Sequence, residues 1–343
     1  MASNASFGGK TNGSEVAKAY SAQITGKTVL ITGVSSGGIG EATARAFALG
    51  GASLIIGTSR SKARVDEVAQ QVSSEYPSTE FRGYALDLGS FESVRHFANQ
   101  ILEDNSINEI DIVVANAAYT MHGGRREVTV DGIEKNFGVN HLGHFLLLKL
   151  LLPKVLAAAK KNPPGITRVV CVSSVTNVFS PVRFSDYNFD NDKDLPEDEK
   201  PDFQAIQAYG FPTTKGYSDG VAYAQSKTAN VLFAVHINHL FKKEGIFAFA
   251  VHPGGVQSTA GKKFISEASA EQRRILEQAL NKNIDQGSAT TLVAASDPAL
   301  DPANGLWLVD CQISKPVEWA VDEEKAARLW ELSEDIIAKK LSV

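Results

Sequence analysis

Tyr223 and Lys227 close the run Tyr223-Ala224-Gln225-Ser226-Lys227, and four-residue spacing on a helix stacks a phenol beside an ammonium. A neighbouring cation favours the phenolate form of a group whose ordinary pKa is about 10, so the pair can exchange a proton near neutral pH. The chemistry suggested is gain or loss of a hydride and a proton at a carbonyl. Alone the spacing decides nothing, because Tyr and Lys four apart are common on solvated helices.

A second group could hold a dinucleotide. Val29-Leu30-Ile31-Thr32 leads into Gly33-Val34-Ser35-Ser36-Gly37-Gly38-Ile39-Gly40 and then a helical stretch, which is the strand, glycine turn and helix of such a site. Glycines let a pyrophosphate approach the backbone, and the helix start supplies free N–H groups and positive dipole potential. Gly33, Ser35, Ser36, Gly37, Gly38, Ile39 and Gly40 are therefore the candidate cofactor loop. After the next strand, where an acid would accept a ribose 2′-hydroxyl, the chain has Thr58-Ser59-Arg60-Ser61-Lys62-Ala63-Arg64. No acid is present. Arg60 and Arg64, with Lys62, offer charge-assisted hydrogen bonds to a 2′-phosphate, so NADP is preferred over NAD.

These residues need a frame. Apolar, β-rich runs at 28–32, 53–57, 81–86, 112–115, 168–172, 247–251 and 306–309 alternate with helical stretches at 39–49, 63–76, 91–102, 130–158 and 220–241. Seven strands separated by helices, with strands apolar enough for burial on both faces, predict an α/β fold: a doubly wound parallel sheet of the Rossmann type with helices on both faces. Residues 1–25 are polar and read as a flexible arm, with 26–343 as one catalytic domain. Two stretches break the rhythm after strand ends, an acidic insert at about 179–218 and a lid segment at about 257–280.

Composition narrows the function. A net charge of −5 with both signs interspersed argues against nucleic acid and anionic membrane partners. Two cysteines, Cys171 and Cys311, make no disulfide framework. The start of the chain lacks an apolar signal core, and 142–159 is broken by His144, Lys149, Pro153 and Lys154, so a buried helix is expected there and no membrane span. A cytoplasmic protein is the expectation. His141 and His144 have no carboxylate or cysteine partner nearby in sequence and are assigned to packing, with no metal expected.

On these motifs the chain resembles the short-chain dehydrogenase/reductase family, most closely its retinol-dehydrogenase-like branch, over about residues 26–310. The family loop reads Thr-Gly-x-x-x-Gly-x-Gly; here Thr32-Gly33 opens a loop one residue longer, which leaves open whether Gly37 or Gly38 takes the middle role. The resemblance implies further cofactor contacts at Asp87 and Leu88, at Asn116 and Ala117, and in His252-Pro253-Gly254-Gly255-Val256-Gln257-Ser258-Thr259. There Ser258 and the backbone at Val256 would hold the nicotinamide amide beside Pro253 and Gly254, with Thr259 on the amide or a phosphate. It implies a catalytic tetrad of Asn140, Ser174, Tyr223 and Lys227: Ser174 on the substrate oxygen, Lys227 on the ribose and lowering the Tyr223 pKa, Asn140 holding a relay water.

The function implied is NADP(H)-dependent reduction of a ketone or aldehyde, reversibly oxidation of an alcohol, on a bulky lipophilic substrate such as a polyketide-like secondary metabolite. Ser174 and Tyr223 lie 49 residues apart, more than in compact family members, so an enlarged loop overhangs the substrate site. Its Phe179, Phe184, Tyr187, Phe189, Phe203, Tyr209, Phe211 and Tyr217 could line an apolar pocket or form the insert's own core. A different class on the same scaffold is a nucleotide-sensing module or a cyclisation catalyst without net hydride transfer. The long helices at 130–158 and 220–241 could also pair between subunits in a homodimer.

Overall fold

The computed structural model describes residues 2–120, 124–190, 194–209, 216–267 and 270–341. The runs rich in Val, Ile and Leu form β1 (Thr28–Thr32), β2 (Leu54–Ser59), β3 (Glu80–Ala85), β4 (Ile112–Ala115), β5 (Thr167–Val172), β6 (Ile246–His252) and β7 (Trp307–Val309), all parallel to their neighbours. An eighth strand, β8 (Gln312–Ile313), runs antiparallel to β7, and the sheet order is β3-β2-β1-β4-β5-β6-β7-β8. The order reverses between β1 and β4, and a ligand crevice opens beyond the strand carboxyl ends at such a point. Leu30, Ile56, Val113 and Val169 face one core while Val29, Ile55, Ile112 and Val170 face the other, the two-sided burial the apolar runs demand.

In chain order the helices are α1 (Gly13–Ala19), α2 (Ser21–Ile24), α3 (Ile39–Leu49), α4 (Lys62–Glu75), α5 (Phe91–Glu103), α6 (Lys135–Phe137), α7 (Gly143–Lys161) and α8 (Phe203–Ala208). They continue with α9 (Asp219–Phe241), α10 (Thr259–Glu267), α11 (Ala270–Ala279), α12 (Ile284–Ser296) and α13 (Glu323–Leu341). Helices α5, α7, α9 and α13 cover one face of the sheet, and α1, α3, α4 and α12 the other. The stretch Lys135–Lys161 is long and apolar enough to cross a membrane by length and composition, yet most of it is buried here. Helix α9 is buried on nearly all sides and takes Gln225, Ser226, Lys227, Thr228 and Asn230 into the interior with its apolar residues.

Two expectations need correction. The arm at 1–25 is not loose in its described part: Val16, Ala17 and Ile24 are fully buried against α3 and α12, and Gln312 Nε2 donates to the carbonyls of Asn4 and Phe7 at 3.0 and 2.9 Å. Its polar composition hid one stripe, Val16, Tyr20 and Ile24, at helical spacing. The face of α7 and α9 offered for a homodimer is covered by α13. Trp330 meets Phe145 edge to face with ring centres 4.7 Å apart, Ser333 Oγ meets His141 Nε2 at 2.8 Å, and Glu334 pairs with Lys149.

The insert is tied to its surroundings. Arg183 N–H donates to Gln225 Oε1 at 3.0 Å, Gln225 Nε2 to the Tyr187 carbonyl at 2.9 Å, and Tyr217 Oη to Glu134 at 2.9 Å. Its aromatics divide: Phe179 packs with Ile206, Val221 and Ala224, Phe184 and Tyr187 join the main core, and Phe203 and Tyr209 are exposed. Phe189 and Tyr217 meet edge to face at 5.3 Å, whereas Phe211 lies outside the described residues. The second excursion forms α10 and α11, its base closed by Lys282, whose N–H donates to the Gly255 carbonyl at 3.0 Å.

Candidate active site

Strand β5 and helix α9 position the central residues. The β5 chain ends in Val172, whose carbonyl accepts Lys227 Nζ at 2.9 Å and Asn230 Nδ2 at 3.1 Å. The next hydroxyl, Ser173 Oγ, donates to the Lys227 carbonyl at 2.7 Å, so strand and helix are lashed at one turn. One residue on, the Ser174 side chain stands near enough to the Tyr223 phenol to lower its pKa. Lys227 Nζ lies 5.5 Å from the Tyr223 ring centre. This brings Ser174, Tyr223 and Lys227 together at the carboxyl edge of the sheet.

Asn140 sits in a π-helical turn, Gly138–Leu142, between α6 and α7. Such a turn is a widening that recurs at functional sites. Its side chain accepts Tyr119 N–H at 2.7 Å, donates to the Tyr119 carbonyl at 3.0 Å and to Ser226 Oγ at 2.9 Å. Ser226 Oγ in turn donates to the Tyr223 carbonyl at 2.7 Å. Asn140 therefore reaches the catalytic helix through Ser226, and the amide expected to serve a relay is spent on Tyr119 and Ser226.

Burial decides the electrostatics. It pushes the Tyr223 phenol up to about 12, against the lowering effect of Ser174, and pulls Lys227 down to about 7. The expectation that the ammonium depresses the phenol is not met: desolvation raises the phenol, and the influence opposing it is the Ser174 hydroxyl. The same cause lowers His144 and His252 to about 4 and His141 to about 3, so all three are neutral at physiological pH.

The glycine loop has the shape a pyrophosphate needs. Gly33 and Gly37 have φ of +75° and +73°, where L side chains are strained, whereas Gly38 is the N-cap of α3 in extended geometry. Gly37 thus fills the left-handed position of the longer loop. A Cβ at Gly33 would lie 2.7 Å from Ala117 Cα, and one at Gly40 only 2.4 Å from the Gly33 carbonyl. Glu41 Oε2 accepts Gly37 N–H at 2.7 Å. Ser35 closes the loop by accepting Gly38 N–H at 3.0 Å, Ser36 is exposed, and Ile39 opens α3. Arg60 stands one residue beyond β2, and Arg64 in the first turn of α4; both are exposed, and among the described residues no ion pair holds either. The donor set fits a nucleotide bearing a 2′-phosphate.

Other expected contacts take structural duties. Asn116 Nδ2 donates to the Thr32 carbonyl at 2.8 Å, so it braces the loop, with Ala117 packed under Gly33. Asp87 Oδ1 accepts Gly89 N–H at 2.9 Å, and Leu88 buries its side chain in the core. Ser258 Oγ caps α10 by accepting Gly261 N–H at 3.1 Å, and Val256 bridges to Lys282. Pro253 is buried, with Gly254 beside it at φ +92° under the Lys282 stem, and Thr259 N–H donates to the Gly37 carbonyl at 3.0 Å. Tyr119, Ser173, Ser226 and His144 were not singled out for the site. Ser173 and Ser226 stood beside expected residues and could have been weighed with them; no local signal marked Tyr119.

A family model described as short chain dehydrogenase matches residues 27–188. The oxidoreductase fscI of Fusarium equiseti is 40% identical over 249 residues, covering 73% of this chain and 95% of that protein. Retinol dehydrogenase 14 of Homo sapiens is 30% identical over 326 residues, covering 91% and 86%. Among solved structures, an uncharacterised protein from Mycobacterium paratuberculosis is similar with a TM-score of 0.63 at 27% identity, over 92% of this chain and 94% of that one.

Proposed function

Because the chain belongs to the short-chain dehydrogenase/reductase family and is an oxidoreductase of its retinol-dehydrogenase-like branch, we propose that it reduces a ketone or aldehyde of a bulky lipophilic substrate with NADPH, and oxidises the corresponding alcohol in reverse. The observation that carries this reading is Tyr223 one helical turn from a buried Lys227 that is tied to the end of β5 where Ser174 follows, beside a glycine loop at the same sheet edge. NADPH, when bound, supplies the hydride. Gly33, Gly37 and the start of α3 would hold its pyrophosphate, Arg60 and Arg64 its 2′-phosphate, and Lys227 its nicotinamide ribose.

The chain's own residues handle the oxygen and its proton. Ser174 Oγ and Tyr223 Oη donate to the carbonyl oxygen, where negative charge develops, and Tyr223 delivers its proton there. A phenol held near 12 by burial keeps its proton at neutral pH, so in the reductive direction it enters as the proton donor. Lys227, near 7, can restore the proton at neutral pH. Asn140, through Ser226, fixes the helical turn that carries Tyr223.

The test is Tyr223→Phe with NADPH absorbance followed against a panel of lipophilic ketones and aldehydes. NADPH binding, read by fluorescence, should persist while turnover falls by roughly 100-fold or more, the range of general acid catalysis. Normal single-turnover hydride transfer in the variant would overturn the assignment. A wild type that binds NADPH but never consumes it would favour the non-redox alternative.

A further inference from the structure

His144 is fully enclosed in α7 and lies outside the proposed chemistry. Its Nε2 lies 2.8 Å from Thr32 Oγ1, at the end of β1 where the glycine loop begins, and its Nδ1 lies 3.0 Å from the Asn140 carbonyl in the π-helical turn. The direction of these bonds follows from counting. The Asn140 carbonyl can only accept, so the neutral ring carries its proton on Nδ1 and leaves Nε2 to accept. Thr32 Oγ1 already accepts the N–H groups of Asn116 and Ala117, both at 3.0 Å, and its hydrogen goes to Nε2 at 2.8 Å in preference to the Val114 carbonyl at 3.4 Å. Continuous hydrogen bonding runs from the Asn116 and Ala117 backbone through Thr32 and the imidazole to Asn140, and from Asn140 through Ser226 to Tyr223.

We infer that His144 is a positioning residue that locks the cofactor strand to the turn carrying Asn140, so that the glycine loop and the proton-handling helix keep a fixed separation. The inference rests on the reductase reading for what the two ends do, but the linkage itself is a property of this chain. Both ring nitrogens are required, one for each half of the site. A histidine there merely as apolar filling would need neither.

Two isosteres separate the halves. His144→Asn keeps a donor at the Nδ1 position and loses Thr32, whereas His144→Gln keeps an acceptor at the Nε2 position and loses Asn140. Fluorescence titration with NADPH should show Kd raised about tenfold in His144→Asn, because freeing Thr32 slackens the glycine loop, and by less than about threefold in His144→Gln. Equal changes in the two variants, or none, would refute the linkage, since filling alone would treat them alike. Should either variant fail to fold, imidazole ¹⁵N spectra of the wild type decide: the Nδ1–H tautomer supports the linkage and the Nε2–H tautomer overturns it. A wild type that binds no NADPH would sink the reductase reading instead, and leave the tautomer to judge His144.

Discussion

Removing Lys227 should stabilise the fold, although it should abolish activity. Burial lowers its pKa from 10.5 to about 7, and at 1.36 kcal/mol per unit the enclosed ammonium costs on the order of 5 kcal/mol below pH 7. The folded value is the lower one, so the unfolded chain binds more protons between pH 7 and 10.5 and the cost fades as pH rises through that window; about 2 kcal/mol remains at pH 9. Lys227→Met keeps the apolar stem and loses the Nζ bond to the Val172 carbonyl, worth about 1–3 kcal/mol, while Asn230 still serves that carbonyl at 3.1 Å. The variant should therefore exceed the wild type by roughly 2–4 kcal/mol at pH 6 and come near parity at pH 9. Urea unfolding at both pH values without NADPH reads the difference, because the two groups that feel Lys227, His144 near 4 and Cys171 near 12, titrate in the folded protein outside that window. A variant less stable at pH 6, or a difference that does not change with pH, refutes the reasoning.

Two further outcomes follow from the nucleotide-facing surface and from α13. Arg60→Ala should raise the Kd for NADPH by about tenfold or more and leave that for NADH unchanged, since a hydrogen bond to a charged group is worth about 1.5–3 kcal/mol; equal losses for both nucleotides would remove Arg60 from the 2′-phosphate. With Trp330 and Ile336 of α13 seated on the face of α7 and α9, light scattering should give the mass of one chain, 36.8 kDa, at micromolar concentration. A stable dimer whose interface includes α7 and α9 would contradict the covering role of α13.

Period and punctuation made the sheet legible. Strands β1 and β4 fall where the apolar runs place them, and α3 begins and ends as read, because a glycine turn and a Leu-Gly-Gly stop bound it. Strand β8 escaped because two residues carry no period; its turn puts Asp310 and Cys311 at φ +49° and +65°, which glycine or asparagine would have announced. Helix α13 lies beyond the span of the family resemblance, and its charged face, from Glu323 to Lys340, masked the stripe Ala326, Leu329, Ser333, Ile336 and Ile337. At the site, residue types told which groups gather, as with Ser174, Tyr223 and Lys227. They could not tell what each side chain touches: Asn116 is taken by the Thr32 carbonyl and Ser258 by the Gly261 N–H, and that depends on distances set by the whole fold. Desolvation was equally invisible, which is why Tyr223 moves opposite to the expected direction.

Thr259 is the first residue of the lid helix α10, and it rests on the glycine loop through its N–H on Gly37 at 3.0 Å and a longer contact from Oγ1 to the Ser36 carbonyl at 3.4 Å. Lid and loop thus share a mechanical joint. Parting it breaks one good hydrogen bond and one weak one, about 1–2 kcal/mol, a gap that thermal motion crosses readily on the microsecond to millisecond scale of lid movements. Gly37, in the left-handed position of the loop, supplies the bare backbone on which that joint closes, since a Cβ there would meet Thr259 Oγ1 at 2.4 Å. Any movement of α10 is thereby coupled to the loop at the edge of the sheet, while the sheet itself stays shut.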